Sequence, residues 1–198
     1  WQIECETVLA NNWTFVGFAH ELKEYGDVLP ISVAEKPILL VKNTNGNIVA
    51  FHNVCKHRCL KLVDQAKNVG QMICCPYHAW TFDLDGKLCA SPFFGGPDRD
   101  QPSDFNADDH CLESVRIKVW HDWIFINLNG NAPPFEEYAA PLIKILKNVN
   151  FKKYLQIGNF SSRISLSRIM FHLYTQKQQN KPFKIITLLL KEDAWEVV

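Results

Sequence analysis

Short apolar and alternating runs along the chain predict a fold built mainly from β-strands. The expected strands cover residues 13–19, 28–33, 37–42, 47–52, 71–75, 79–83, 115–120 and 123–128. The turn Asn43-Thr44-Asn45-Gly46 lies between two of these runs and is a strong hairpin signal. His121-Asp122 separates the last two runs, and Asp85-Gly86 leads into one more short strand. The pattern therefore predicts a mainly β fold of small antiparallel sheets.

Two regions depart from the strand pattern. Residues 89–109 contain three prolines and the pair Gly95-Gly96, a composition that predicts a loop. Pro134 is expected to begin a helix, because two glutamates follow in its first turn and lysines lie toward its end.

The composition is that of a globular domain. Of the 198 residues, 47 % are apolar and 21 % are charged, which excludes bulk disorder and collagen-like repeats. No run approaches the roughly 18 apolar residues that a membrane span needs. The N-terminal residues show no signal-peptide pattern, so we expect a cytoplasmic protein.

The net charge of zero hides an asymmetry between two parts of the chain. Residues 1–137 hold 11 basic and 18 acidic side chains, whereas residues 138–191 hold 10 basic side chains and no acidic one. Such a basic stretch is typical of a surface for nucleic acid or anionic lipid. The other interpretation is a tail that did not evolve as part of the same domain.

The chemistry-bearing residues are concentrated in one short region. The chain has seven cysteines, and an odd number without a signal peptide favours metal binding or plain buried thiols over a disulfide framework. Four cysteines and two histidines lie within 24 residues, in the segments Cys55-Lys56-His57-Arg58-Cys59 and Cys74-Cys75-Pro76-Tyr77-His78.

Two kinds of metal centre suit two thiolates and two imidazoles on paired loops. One is a tetrahedral Zn²⁺ site, and the other is a 2Fe–2S cluster with Cys on one iron and His on the other. Zinc sites usually take a Cys pair followed by a His pair. Here each loop supplies Cys before His, as Cys55-x-His57 and Cys75-x-x-His78, and this order favours the cluster.

The sequence around these segments resembles a known family. Residues 48–58 and 75–88 are similar to the N-terminal Rieske domain of the Rieske non-haem iron oxygenases, which include aromatic ring-hydroxylating dioxygenases and monooxygenases. The similarity extends from about residue 13 to residue 142. It implies a Rieske-type iron–sulfur domain at 1–142, with its core at about 13–130 and its cluster loops at hairpin tips. A short helical or irregular tail at 143–198 would follow.

The resemblance also implies the ligands. Cys55 and Cys75 would bind one iron, and His57 and His78 the other. Cys59 stands where the family usually has Gly, which is expected to crowd the tight loop after His57. We expect the remaining four cysteines to be small buried residues on strands or strand edges: Cys5, Cys74, Cys89 and Cys111.

One position in the second motif and two positions just after it indicate the redox type. Respiratory Rieske proteins carry a disulfide cysteine where this chain has Tyr77, and hydroxyl donors where it has Trp80 and Phe82. Donors to sulfur stabilise the reduced, more negative cluster, so their absence predicts a low-potential centre. We expect both aromatic side chains to pack in the core.

The function implied by the resemblance is electron relay within an oxygenase. The domain would take electrons from a reductase or ferredoxin and pass them to a mononuclear Fe(II) that oxidises an organic substrate with O₂. The intact enzyme would be a homotrimer or hetero-oligomer, without nucleic acid or membrane partners. The alternatives are a stand-alone carrier like a Rieske ferredoxin, and a redox-silent zinc module.

The ligands of the mononuclear iron are not found in this sequence. Family members use two His and one carboxylate, but after Leu142 the chain has only His172 and no acid before Glu192. We therefore assign no catalytic residue, and we interpret His110 and His121 as surface or loop residues. From about residue 161 the resemblance is lost. This favours a chain cut short or out of frame over a short protein with a basic partner surface.

Overall fold

The computed structural model describes residues 1–97 and 101–147. Its helices and strands are, in chain order, α1 Gln2–Glu4, β1 Thr14–Phe18, β2 Asp27–Val33, β3 Lys36–Lys42, β4 Ile48–His52, β5 Lys67–Asn68, β6 Met72–Cys74, β7 Thr81–Asp83, β8 Leu88–Ala90, β9 Arg116–Trp120, β10 Trp123–Asn127, α2 Phe135–Tyr138 and α3 Ala140–Leu146. A π-helical turn continues α1 over Cys5–Leu9, and 3-10 turns cover Ala19–Glu21 and Ala107–His110. The expected strands are all present, and the mainly β class is confirmed.

The strands form three antiparallel sheets. Their strand orders are β1-β10-β9, β4-β3-β2-β5 and β6-β7-β8. Strand β1 pairs with β10, with Thr14 opposite Ile126 and Phe18 opposite Trp123, so the first sheet joins distant parts of the chain. Segment 113–115 then runs along β4, where the Val115 N–H donates to the Ala50 carbonyl at 2.8 Å. This contact ties the first sheet to the second.

Strand β3 is buried on both faces and divides the interior into two cores. Leu39 and Val41 contribute to one core, and Ile38 and Leu40 contribute to the other. All four side chains are fully buried. The double burial explains why β3 is a continuous apolar run, since alternation arises only where one strand face meets water.

The first of these cores contains one cysteine from each of the two Cys/His motifs. Cys55, Cys75 and Trp80 lie in it together with Ile73 and Phe82 of the third sheet. The second core lies between the central sheet and the first sheet, and includes Ile124 and Ile126 of β10. The two candidate cysteine ligands are thus anchored in an apolar interior rather than held on a free surface loop.

The predicted hairpin turns are present and are tied to one another. The Asn43 side-chain oxygen accepts hydrogen bonds from the N–H groups of Asn45 and Asn47, and its amide donates to Asp85 at 2.7 Å. The β3–β4 turn is therefore bonded to the β7–β8 turn. Gly86 in that second turn has φ +84°, and an added Cβ would lie 2.5 Å from the Phe51 ring.

The helix expected from Pro134 is in fact two short helices. Pro134 stands just before α2, and the helical conformation is interrupted at Ala139 (φ −90°, ψ 4°) before α3 begins. The break follows from Pro141, because proline has no N–H to donate to the Glu137 carbonyl and its ring would collide with that group. Phe135 of α2 is buried against the first sheet.

Other sequence expectations need correction. Cys74 and Cys89 are exposed instead of buried, because the alternation of β6 and β8 directs the neighbouring Ile73 and Leu88 inward. Cys111 is partly exposed, and Cys5 is buried but lies in the π-helical turn and not on a strand. The predicted loop at 89–109 contains most of the 3-10 turn Ala107–His110.

Two further expectations concern the tail and the membrane. The predicted tail lies, from residue 148 onward, outside the described residues. In the described part of the chain, no helix is both long enough and apolar enough to cross a bilayer.

We expect Asn53 to be important for the fold of the first motif. Asn53 is fully buried; its oxygen accepts from the N–H groups of Leu62 and Val63, and its amide donates to the Val63 carbonyl at 2.7 Å. Asn53→Ala should lower the free energy of unfolding of the apoprotein by about 3 kcal/mol, because buried backbone groups lose their partners. Urea unfolding followed by circular dichroism measures this change.

The matched control is Asn45→Ala in the exposed β3–β4 turn. That variant should change the free energy of unfolding by less than about 0.5 kcal/mol. Equal stability of the two variants would show that the Asn53 bonds contribute nothing net to the fold.

Candidate metal centre

The first motif forms a closed turn directly after β4. The Cys55 N–H donates to the Leu60 carbonyl at 2.8 Å, and the Cys59 N–H donates back to the Cys55 carbonyl at 2.9 Å. Cys59 adopts φ +55°, the left-handed conformation that glycine accepts at least cost. This conformation explains why glycine is the usual residue here. The Cys59 side chain is exposed, so it is directed away from the loop it was expected to crowd.

The second motif forms the same turn at the tip of the β6–β7 hairpin. The Cys75 N–H donates to the Trp80 carbonyl at 2.8 Å, and the Ala79 N–H donates to the Cys75 carbonyl at 3.1 Å. Ala79 has φ +55°, matching Cys59. The two turns are therefore equivalent, with Cys55 and Cys75 at corresponding positions. The histidines are offset by one residue, which explains the unequal spacings in the sequence.

The two cysteine thiols meet in the core. Cys55 and Cys75 are 1 % and 4 % exposed, they lie in the same core, and Cys75 is one of the groups that raise the pKa of the Cys55 thiol. Burial raises the pKa of the Cys55 thiol to about 11, although the N–H groups of His57 and Arg58 donate to its sulfur and act in the opposite direction. Such a thiol stays protonated unless a cation binds it and displaces the proton.

The two imidazoles form a second pair. The ring centroids of His57 and His78 lie 4.7 Å apart, and both residues are partly exposed. Burial lowers the pKa of His57, and the nearby His78 and Arg58 add to this effect, so the ring is neutral and able to act as a ligand at neutral pH. The Nδ1 atom of His78 is buried and has no hydrogen-bond partner.

The donor set fits a cluster with two chemically different metal ions. A buried ring nitrogen without a partner costs roughly 1–3 kcal/mol, a cost that bonding to a metal ion would remove. The thiols are paired with each other, and so are the imidazoles. This arrangement matches the mixed Cys/His ligation of Rieske-type 2Fe–2S centres.

Two aromatic side chains, Trp80 and Phe94, pack against the His57 ring in an arrangement that the sequence did not predict. Trp80 is 1 % exposed and stacks on His57 with a centroid distance of 4.8 Å and an interplanar angle of 5°. Phe94 meets both rings edge-on, at 5.5 Å from His57 and 5.1 Å from Trp80. Core burial of Trp80 was predicted and is confirmed, as is that of Phe82, which is fully buried. Phe94 comes from a segment that the sequence marked only as loop.

The other sequence candidates lie away from the paired ligands. Cys74 is exposed on β6, and its thiol points back to the Cys75 carbonyl at 3.8 Å. His110 lies in the 3-10 turn, partly exposed, with its ring 5.6 Å from that of Trp80. His121 occupies the β9–β10 turn at φ +56°. The loop positions predicted for both histidines are confirmed.

Comparison with known proteins agrees with this geometry. Residues 12–97 match the family described as the Rieske [2Fe-2S] domain. The oxygenase subunit of glycine betaine monooxygenase from Chromohalobacter salexigens is 34 % identical over 140 residues, which is 71 % of this chain and 30 % of that protein. The oxygenase subunit of carnitine monooxygenase from Escherichia coli is 32 % identical over 139 residues, covering 70 % of this chain and 36 % of that protein.

Solved structures show the same architecture. A quaternary ammonium Rieske monooxygenase superposes with a TM-score of 0.65 at 28 % identity, covering 73 % of this chain and 40 % of its own. Naphthalene 1,2-dioxygenase superposes with a TM-score of 0.66 at 29 % identity, covering 74 % and 32 % respectively. The chain thus spans about a third of the length of these relatives.

The equivalent cysteine turns, the family match and the superposed oxygenase structures lead to one conclusion. Residues 12–97 belong to the Rieske [2Fe-2S] domain family, and the chain is similar over this region to the oxygenase subunits of Rieske non-haem iron oxygenases.

Proposed function

We propose that Cys55 and Cys75 bind one iron of the cluster and that His57 and His78 bind the other. The observation that carries this assignment is that two equivalent turns place Cys55 and Cys75 in one buried core and bring the rings of His57 and His78 to within 4.7 Å of each other. The unpartnered Nδ1 of His78 supports a metal contact at that ring. The N–H groups of His57 and Arg58 would then hold the Cys55 sulfur by hydrogen bonds.

We further propose that the domain relays electrons within an oxygenase. When bound at this site, a 2Fe–2S cluster would supply one-electron transfer. Since the thiol pair is buried and the imidazole pair is partly exposed, electrons would be exchanged on the imidazole side. The donor would be a reductase or ferredoxin, and the acceptor a mononuclear non-haem iron that oxidises an organic substrate with O₂.

The names of the relatives support this role. The similar curated proteins are called oxygenase subunits or components. One solved quaternary ammonium Rieske monooxygenase is described as giving insight into inter-subunit electron transfer. By analogy, the working enzyme would be a homotrimer or hetero-oligomer. The relatives' substrates range from glycine betaine and carnitine to salicylate and naphthalene, so membership in the group does not select a substrate.

The acceptor iron needs a different kind of site. Over residues 1–97 and 101–147, no group of three or more His, Cys, Asp or Glu side chains lies close enough to hold a metal ion. The proposed cluster needs no such group, because each of its irons takes only two protein ligands.

The ligand assignment is tested by substitution. His57→Ala and His78→Ala should each abolish or alter the visible and EPR spectra of the reconstituted protein, because one iron would lose a ligand. Cys59→Ala and Cys74→Ala are matched controls, one in each motif, and both should keep the wild-type spectra. The assignment is wrong if both histidine variants retain unchanged spectra.

The reduction potential should lie at the low end of the Rieske range, on the order of −150 mV and not +300 mV. The reason is that the positions of the two hydroxyl donors are occupied by the buried, hydroxyl-free side chains of Trp80 and Phe82. Protein-film voltammetry measures the midpoint. A value near the high end would show that the backbone donors to Cys55, or burial, dominate the potential.

This 198-residue chain should accept electrons but oxidise no substrate by itself. Oxygen activation by non-haem iron needs two His and one carboxylate, and residues 143–198 contain one His, His172, with three acids near the end of the chain. The assay supplies a matched reductase, Fe(II) and a panel of aromatic and quaternary ammonium substrates. Product formation coupled to O₂ uptake would contradict the expectation.

A further inference from the structure

The His57 ring is held by other rings. Within the described residues, its imidazole makes no hydrogen bond and is contacted by Trp80, Phe94 and His78. Trp80 covers one face of the His57 ring and is itself fixed in the core. Phe94 meets the His57 ring edge-on, at an interplanar angle of 85°. A ligand held in this way depends on its aromatic neighbours for its orientation.

Phe94 is well placed to fix this arrangement. Its ring contacts His57, Trp80 and also Phe105, whose centroid lies 5.2 Å away. Phe94 is 39 % exposed, so its outer side meets water while its inner side covers the His57–Trp80 stack. Edge-to-face ring contacts of this kind add stabilisation beyond the apolar area that they bury.

The backbone around Phe94 is constrained in two independent ways. Phe93 adopts φ +59°, an unfavourable conformation for a bulky residue, and its own ring is 74 % exposed. Gly95 lies so close to a later part of the loop that an added Cβ would come within 2.5 Å of the Gln101 backbone. The close approach of Gly95 to the Gln101 backbone fixes the chain beside Phe94, and Phe93 keeps its unfavourable conformation because its surroundings impose it.

We propose that Phe94 is a positioning residue. Its ring holds His57 against Trp80 and limits the access of water to the imidazole side of the cluster. This inference rests on the proposed ligation of iron by His57. Phe94 thereby slows the loss of the cluster from the protein. It acts through ring contacts alone, because the Phe94 side chain carries no donor and binds no iron.

The test measures the lifetime of the cluster in the reconstituted 198-residue chain. The visible absorption is followed under argon with an excess of an iron chelator. Phe94→Ala should shorten the half-life about tenfold, as expected when ring contacts worth about 1.4 kcal/mol are lost. Phe94→Tyr keeps the ring and should restore a half-life near that of the wild type.

Two further variants separate the role of the Phe94 ring from effects of its neighbours. Phe93→Ala removes the adjacent exposed ring, which makes no contact with His57, and should change the half-life by no more than about twofold. Gly95→Ala leaves Phe94 intact but displaces the backbone, and should shorten the half-life in the same direction as Phe94→Ala. The melting midpoint of each apoprotein, measured by far-UV circular dichroism, should stay close to that of the wild type.

Three results would overturn the proposed role of Phe94. They are a half-life within about twofold of the wild type in Phe94→Ala, equal effects of Phe93→Ala and Phe94→Ala, and a large fall in the apoprotein melting midpoint of Phe94→Ala. The last result would assign the effect to the fold. His57→Ala, measured in parallel, separates the two proposals: if it retains the cluster, the ligand assignment fails. If His57→Ala loses the cluster while Phe94→Ala behaves as wild type, only the proposed role of Phe94 fails.

Discussion

Two equivalent backbone turns bring the thiols of Cys55 and Cys75 together in an apolar core, and the candidate site depends on them. Two hydrogen bonds close each turn. The cysteine N–H donates to the carbonyl five residues ahead, and the N–H four residues ahead donates to the cysteine carbonyl. The returning donors, Cys59 and Ala79, both take the left-handed conformation. Both thiols are buried, and burial raises the pKa of Cys55, so a metal ion that binds the Cys55 sulfur must displace its proton.

The rest of the fold keeps these turns in register. Strand β3 is buried on both faces, so the central sheet supports one core that contains the motifs and a second core behind it. Asn53 bonds the first turn to the backbone at Val63, and Asn43 bonds the β3–β4 turn to the β7–β8 turn at Asp85. Turns that are tied to rigid strands keep the geometry of their ligands better than free loops do.

Local signals made much of this predictable from sequence. The Asn43–Gly46 turn, the strand runs and the Cys/His spacings each depend on neighbouring residues, and the structure has the expected elements in those places. The pairing of β1 with β10 joins residues more than a hundred positions apart, and periodicity carries no information about partners. The exposure of Cys74 depends on which face of strand β6 its side chain occupies, and a shift of one residue would reverse it, so composition does not predict it. Phe94 lies in a Pro/Gly-rich segment, where the sequence predicts a loop but not its contacts.

The central claim is that two imidazole nitrogens and two thiolates share one binuclear cluster. Pulsed EPR of the reduced, reconstituted 198-residue chain tests this most directly, because a nitrogen bound to iron couples to the unpaired electron. The account predicts couplings from two nitrogens, one of which disappears in His57→Ala or His78→Ala if the cluster survives. A reduced cluster without nitrogen coupling, or a colourless protein that binds one zinc ion and gives no EPR signal, would contradict it.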